Sequence, residues 1–282
     1  MPGSEYPSAG GWDDRSRLES LERWRRQGVV AGRAHTELLL QAVALREGES
    51  VLDVSCGAGE PALAEARAVG PTGRVVGIDP ASGAVELARK FATADGLSKA
   101  TFEVAAAEAI PFPDASFDCL TCRFGAMYFS DLRAAVVEAH RVLGPGGRLG
   151  WLAWGPIEQP FWEATARVAL RHAGMREYPP EALQPMCFGG GGRLAAALAA
   201  GGFEEVRETP HEVLWSWPGP PEEVAAMWFA GAPPFRSILA ALDERAGAAA
   251  LSEMTQRLAA YADSGRVTVP ERVVLATARR GA

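Results

Sequence analysis

Short apolar runs alternate with helix-period stretches through the first two-thirds of the chain, and this alternation carries most of its structural information. Val51 to Val54 reads as a strand. Pro61 to Val69 reads as a helix with proline near its first turn, where a missing N–H costs little. Arg74 to Ile78 predicts a second strand, and Ala81 to Ala94 a second helix closed by Gly96. Thr101 to Val104 and Phe117 to Cys122 predict the third and fourth strands. The helix Asp131 to Leu143 has Ser130 as its expected N-cap and stops at Gly144-Pro145, and Gly147 to Trp154 is a fifth strand. Such an order predicts an α/β protein with a parallel sheet, right-handed crossovers and helices on both faces.

After Trp154 the rhythm changes. A helix is expected over 161–172, then a Pro/Gly-rich loop through Phe188 and Gly192, a helix over 193–200 and a long strand from Phe203 to Trp217. Helical patterns fill 221–262 with a break at 231–234, and a last strand runs from Val267 to Ala278. The expected organisation is an N-terminal helical segment over 1–45 that closes the site, an α/β core over 46–155 and 193–282, and cap insertions at about 156–192 and 219–265.

An apolar fraction of 48% fits a soluble protein with a sizeable core, and no apolar run approaches the ~20 residues of a membrane span. The polar, Gly/Pro/Ser-rich N-terminus does not read as a signal peptide, so a cytoplasmic location is expected. A net charge of −7 without a dense Lys/Arg stripe argues against nucleic acid or an anionic membrane as partner. Two lysines, Lys90 and Lys99, among 28 basic residues hint at a GC-rich bacterial genome. Cys119 and Cys122 form a C-x-x-C inside a strand, where positions three apart face opposite ways; buried core residues are expected there, and no metal site.

The candidate chemistry lies where the first strand ends. Asp53-Val54-Ser55-Cys56-Gly57-Ala58-Gly59 reads as strand, glycine turn and helix, the element with which open α/β sheets hold nucleotides. Gly57-Ala58-Gly59-Glu60-Pro61-Ala62 also satisfies a dinucleotide fingerprint, with Asp79 at the spacing of a ribose-binding acid. Two residues oppose a pyrophosphate: Asp53 sets a carboxylate beside the loop, and Pro61 removes an N–H from the helix start. A nucleotide-like ligand carrying positive charge suits the same loop.

Four ordered segments extend this reading: Val51 to Gly59, Val75 to Asp79, Glu108 to Asp118 and Arg141 to Leu149. Together they resemble the class I S-adenosylmethionine-dependent methyltransferases, in particular the ubiquinone/menaquinone-biosynthesis branch. The resemblance is firm over 48–154 and holds in outline beyond. It implies a Rossmann-like, seven-stranded, mostly parallel sheet with an antiparallel last strand, helices on both faces and a helical cap. It further implies S-adenosylmethionine as cofactor. Asp53, Ser55, Gly57 and Gly59 would line its methionine part and Asp79 would hold the ribose. Pro80, Ala106 and Ala107 would border the adenine, and Arg123 would offer a backbone carbonyl to the ammonium. Ser55 departs from the usual glycine or alanine, and Ala106 from the acid that many relatives carry.

The expected function is methyl transfer, by in-line displacement, to a small molecule that is apolar or aromatic. Alternatives are a rearrangement or cyclisation on the same fold, or a non-catalytic binding protein. A homodimer is compatible with the chain. The catalytic base is not marked by any motif; His172, His211 and Tyr128 are candidates, whereas His140 lies on an outer helix and His35 precedes an apolar helical run. Cap aromatics (Phe161, Trp162, Trp215, Trp217, Trp228, Phe229, Phe235) read either as the cap's own core or as a substrate pocket. Met127 and Tyr128 stand where the fourth strand ends and are expected to touch substrate, with Trp12 and Trp24 closing the same pocket.

Overall fold

The apolar run at Ser50–Val54 forms the central strand β1, buried on both faces as a strand inside a parallel sheet must be. The computed structural model describes residues 11–282. The other strands are β2 (Arg74–Asp79), β3 (Ala100–Val104), β4 (Phe117–Arg123), β5 (Leu143–Trp154), β6 (Glu204–Trp217), β7 (Ala262–Asp263) and β8 (Arg266–Arg279). They form one sheet in the order β3-β2-β1-β4-β5-β8-β6, with β7 hairpinned onto β8. Strands β1 to β5 are parallel; β8 runs antiparallel between β5 and β6. Strand order reverses between β1 and β4, the point where open α/β sheets leave a crevice at their carboxyl ends.

Helices α1 (Arg15–Arg23), α2 (Arg25–Ala31) and α3 (Arg33–Ala42) precede the sheet. Helices α4 (Ala62–Val69), α5 (Ser82–Ala94) and α6 (Leu132–Val142) are the crossovers. Their apolar faces divide the core into two layers: Val51, Val75 and Cys119 pack with α4 and α5, while Leu52, Leu120 and Cys122 pack with α6. Cys119 and Cys122 are thus both buried, on opposite sides of the sheet. Helices α7 (Pro160–Ala164), α8 (Ala166–His172), α9 (Pro180–Leu183) and α10 (Arg193–Ala200) lie between β5 and β6. Helices α11 (Pro221–Gly231), α12 (Arg236–Ala240) and α13 (Glu244–Ala259) lie between β6 and β8.

Three local expectations change. The helix expected over 161–172 breaks at Thr165, whose hydroxyl donates to the Phe161 carbonyl at 2.7 Å and competes with the helical ladder. The N-cap of α6 is Asp131, which accepts from the Ala134 N–H at 3.0 Å; the Ser130 hydroxyl instead donates to Glu108. The two-residue β7 makes an eighth strand.

The cap aromatics resolve into a core. Phe161, Trp162, Trp215, Trp217, Trp228 and Phe235 are buried in one cluster built by α7, α8, α11 and α13 with β6 and β8. Before the sheet, Asp13 accepts from the backbone N–H groups of Ser82 (3.1 Å) and Gly83 (2.8 Å) at the start of α5. A carboxylate at a helix N-terminus is favourably placed, and this one fastens the N-terminal segment over the sheet's carboxyl edge.

Candidate functional site

Backbone geometry fixes the floor of the site. Ser55 leaves β1 in the left-handed region (φ 59°), and Gly57 follows at φ 52° with open space where a Cβ would stand. The Gly57 N–H donates to Asp79 Oδ2 at 2.9 Å, while Asp79 Oδ1 accepts from the Ala81 N–H at 2.8 Å. Asp79 is therefore held at the tip of β2 by two backbone donors. Burial pushes its carboxyl up, and those two hydrogen bonds oppose the rise. Gly125, after β4, touches the same loop: a Cβ there would come within 2.4 Å of the Ser55 Cβ.

These strand ends open into a cavity of about 590 Å³, within the range of pockets that enclose drug-sized ligands. Ser55, Gly57, Asp79, Pro80, Ala106, Ala107 and Arg123 all line it. The structure brings seven of the nine expected cofactor contacts to one wall. Asp53 and Gly59 are not on that wall. At Gly59 (φ 104°) a Cβ would meet Leu63 and Ala88 at 3.2–3.3 Å, so this glycine serves the close approach of α4 and α5.

Asp53 lies beneath the loop, not beside the ligand. It is fully buried, its Oδ2 accepts from the Ala62 N–H at 3.1 Å, and its Oδ1 has no described partner. Its carboxylate occupies the N-terminus of α4, the place a pyrophosphate would take. Glu65, one helical turn on and equally buried, accepts from the Thr121 hydroxyl at 2.6 Å. Burial pushes both carboxyls up, and the like charge of Glu65 adds to the rise at Asp53. Arg123 offsets this acidic group: its guanidinium donates to the Gly32 carbonyl (3.2 Å), Thr36 Oγ1 (2.8 Å) and the Glu60 carbonyl (3.0 Å).

The opposite wall is aromatic. Phe124, also in the left-handed region (φ 60°), stacks on Trp154 with ring centroids 3.9 Å apart and planes 6° from parallel. His35 stands edge-on behind both rings, buried, 3.1 Å from Glu271. Trp12 meets Tyr128 edge-on at 4.8 Å, and Trp24 meets Trp217 at 5.7 Å; all four line the cavity. Burial raises the Tyr128 phenol, so it stays protonated at neutral pH.

Of the expected base candidates, Tyr128 alone reaches the wall. His172 is 2.9 Å from Glu253 on the outside of the cap, and His211 pairs with Thr209 on the edge strand β6. His140 packs against Phe203 away from the cavity. Met127 turns into the core beside the wall, and of the seven cap aromatics only Trp217 lines it. Sequence reasoning missed Arg17, Arg25, Trp154 and Glu60, which also line the cavity, whereas Phe124 falls in the stretch after the fourth strand where site residues were expected. Glu60 was legible as the residue after the glycine turn, and Trp154 as the last residue of the predicted fifth strand. Arg17 and Arg25 carried no local signal, because α1 and α2 are placed by packing across the sheet.

A family model described as a methyltransferase domain matches residues 51–147. The chain is 33% identical over 264 residues to nocamycin O-methyltransferase of Saccharothrix syringae, covering 89% of this chain and 92% of that protein. It is 35% identical over 194 residues to a demethylmenaquinone methyltransferase of Thermus thermophilus, covering 64% and 81%. Among solved structures it resembles the [4+2]-cyclase SpnF, with a TM-score of 0.53 and 26% identity over 88% of this chain and 80% of that one.

Proposed function

The chain belongs to the class I S-adenosylmethionine-dependent methyltransferases, and we propose that its acceptor is a small molecule with an apolar or aromatic body. The observation that carries this reading is a single cavity whose one wall is the set of strand-end loops and whose other wall is aromatic.

The cofactor wall fits S-adenosylmethionine. The space beside Gly57 is a cradle that a Cβ would fill, and the Asp79 carboxylate borders the cavity where a ribose diol would be met. In this reading Pro80, Ala106 and Ala107 border the adenine. Ser55, Gly57, Glu60 and Arg123 surround the amino-acid end, offering charges of both signs to a zwitterion. When bound, S-adenosylmethionine supplies an electrophilic methyl group on a sulfonium.

The residues of this chain then bind, orient and exclude water. The Phe124–Trp154 stack and the Trp24–Trp217 pair offer flat apolar surfaces against which an acceptor is held at attack distance. Such positioning can lower a barrier by roughly 7–11 kcal/mol. No imidazole stands among the described wall residues, so the wall supports an acceptor whose nucleophile loses its proton easily. The O-methyltransferase relative covering nearly the full length favours oxygen as the methylated atom. Likeness to a cyclase favours a second reading, in which bound cofactor shapes a pocket for a rearrangement.

The test is calorimetry with S-adenosylhomocysteine followed by incubation with methyl-labelled S-adenosylmethionine and a panel of phenols, enols and aromatic acids. Micromolar binding and label in an apolar product are expected. Absence of binding would sink the reading, and binding without any labelled product across the panel would favour the cyclase alternative.

A further inference from the structure

Arg17 differs from the other guanidinium groups of the cavity in having, among the described residues, a single hydrogen-bond acceptor and no ion pair. Arg25 pairs with Asp95 at 2.7 Å, and Arg123 is absorbed by two carbonyls and a hydroxyl. Arg17 projects from α1 onto the cavity wall, donates through Nη1 to the Gly231 carbonyl at 2.8 Å, and lies over the Trp12 ring at 4.3 Å. No described carboxylate forms an ion pair with it. Desolvation pulls its guanidinium down to about 10, and the Asp79 carboxylate opposes from beyond pairing distance.

A half-buried cation on a cavity wall, held by one neutral acceptor, keeps donors free for an anionic partner that arrives with a ligand. A guanidinium carries five N–H donors in a planar fork, and a carboxylate fits two of them at once. The Gly231 carbonyl takes one donor, leaving an edge of the fork for an incoming oxyanion. The group sits beside Tyr128 and Trp12, whereas the glycine turn and Arg123 lie at the amino-acid end of the proposed cofactor site.

From this placement we infer that the methyl acceptor carries a carboxylate on its aromatic body, and that Arg17 is the residue that binds it. The inference rests on the proposed function, in which the aromatic half of the cavity holds the acceptor. It adds a charge requirement that aromatic packing alone would not impose. The pair also orients: two parallel N–H···O bonds fix the plane of the acceptor against Trp12 and Tyr128.

The test uses the full chain saturated with S-adenosylhomocysteine and two probes of nearly equal shape, 2-naphthoate and 2-naphthamide, titrated calorimetrically. Wild type is expected to bind the carboxylate at least tenfold more tightly than the amide. Arg17→Met is expected to bring the two within twofold while leaving S-adenosylhomocysteine affinity within twofold. Arg17→Lys, which keeps the charge but not the fork, is expected to retain part of the preference. Equal affinity of wild type for the two probes would overturn the inference, as would failure of naphthoate to bind. An Arg17→Met loss as large for S-adenosylhomocysteine as for naphthoate would assign Arg17 to the cofactor instead. Failure of wild type to bind S-adenosylhomocysteine would overturn the proposed function, and this inference with it. Because the probe comparison is made first in wild type, it stands even if a variant loosens α1.

Discussion

Replacing Glu65 with glutamine isolates the electrostatic cost stored under the glycine loop. Glu65 is fully buried, with Thr121 as its hydrogen-bond donor and Asp53 as its acidic neighbour. Its carboxyl is pushed from 4.5 to about 7, burial being the largest cause and the Thr121 hydrogen bond opposing. A raised folded-state pKa means that the folded protein holds the proton more tightly than the unfolded chain. Stability from this group is therefore complete below about pH 4.5 and lost as pH rises through about 7. At about 1.4 kcal/mol per pKa unit the full loss is on the order of 3 kcal/mol, most of it between pH 5 and pH 8.5. Glutamine keeps an acceptor for Thr121 and cannot ionise. Urea denaturation of both proteins across that range should show the variant gaining on the order of 2–3 kcal/mol on wild type as pH rises. A gap between the two that does not change with pH would refute the reasoning, because a buried carboxyl that never ionises at a cost cannot be raised by burial.

Asp79→Ala is expected to weaken S-adenosylhomocysteine binding roughly 10- to 100-fold, the worth of charge-assisted hydrogen bonds to two hydroxyls, while His140→Ala changes it less than twofold; calorimetry compares them. Gly125→Ala removes chain entropy from the unfolded state, worth about 0.4–1 kcal/mol in its favour, but drives a Cβ to 2.4 Å from Ser55 and 2.7 Å from Cys122 Sγ. Overpacking at about 1–3 kcal/mol should win, and thermal unfolding should begin earlier, together with weaker cofactor binding because Ser55 is displaced. His172→Ala and His211→Ala should each leave kcat/KM within twofold once a substrate is in hand, since neither side chain reaches the cavity. A loss beyond tenfold in either would require the cap to rearrange around the ligand.

The strand-end loops were legible because their chemistry is local. A strand, a glycine turn and an acid at the tip of the next strand recur as a contiguous pattern, and the family resemblance carried by that pattern implied Ser55, Gly57, Asp79, Pro80, Ala106, Ala107 and Arg123, all of which line the cavity. Asp53 was expected on the cofactor wall, and the structure places its carboxylate beneath the loop instead. Side chains alternate along β1, so Asp53 shares the face of Val51 toward α4, while Leu52 and Val54 face α6. The carboxylate caps α4 from below, and its hostility to phosphate is physical occupation of the helix N-terminus.

The acceptor wall lay beyond the reach of pattern. Cap aromatics at helical or strand spacing look alike whether they fill a core or line a cavity, and of the seven only Trp217, itself part of the core, also lines the cavity. What decided between them was which helix crosses which strand end. By itself the sequence determined the α/β alternation, the family and its cofactor class, and the strand-end loops that line the cavity, because backbone conformation and short-range hydrogen bonding set those loops. Tertiary structure alone decided that Arg17 and Trp154 join Trp12, Trp24 and Phe124 on one cavity, and that Trp217 is the cap aromatic that reaches it. Those residues lie up to some two hundred positions apart in the chain, and burial of apolar surface between α1, α2, α11 and the sheet brings them together.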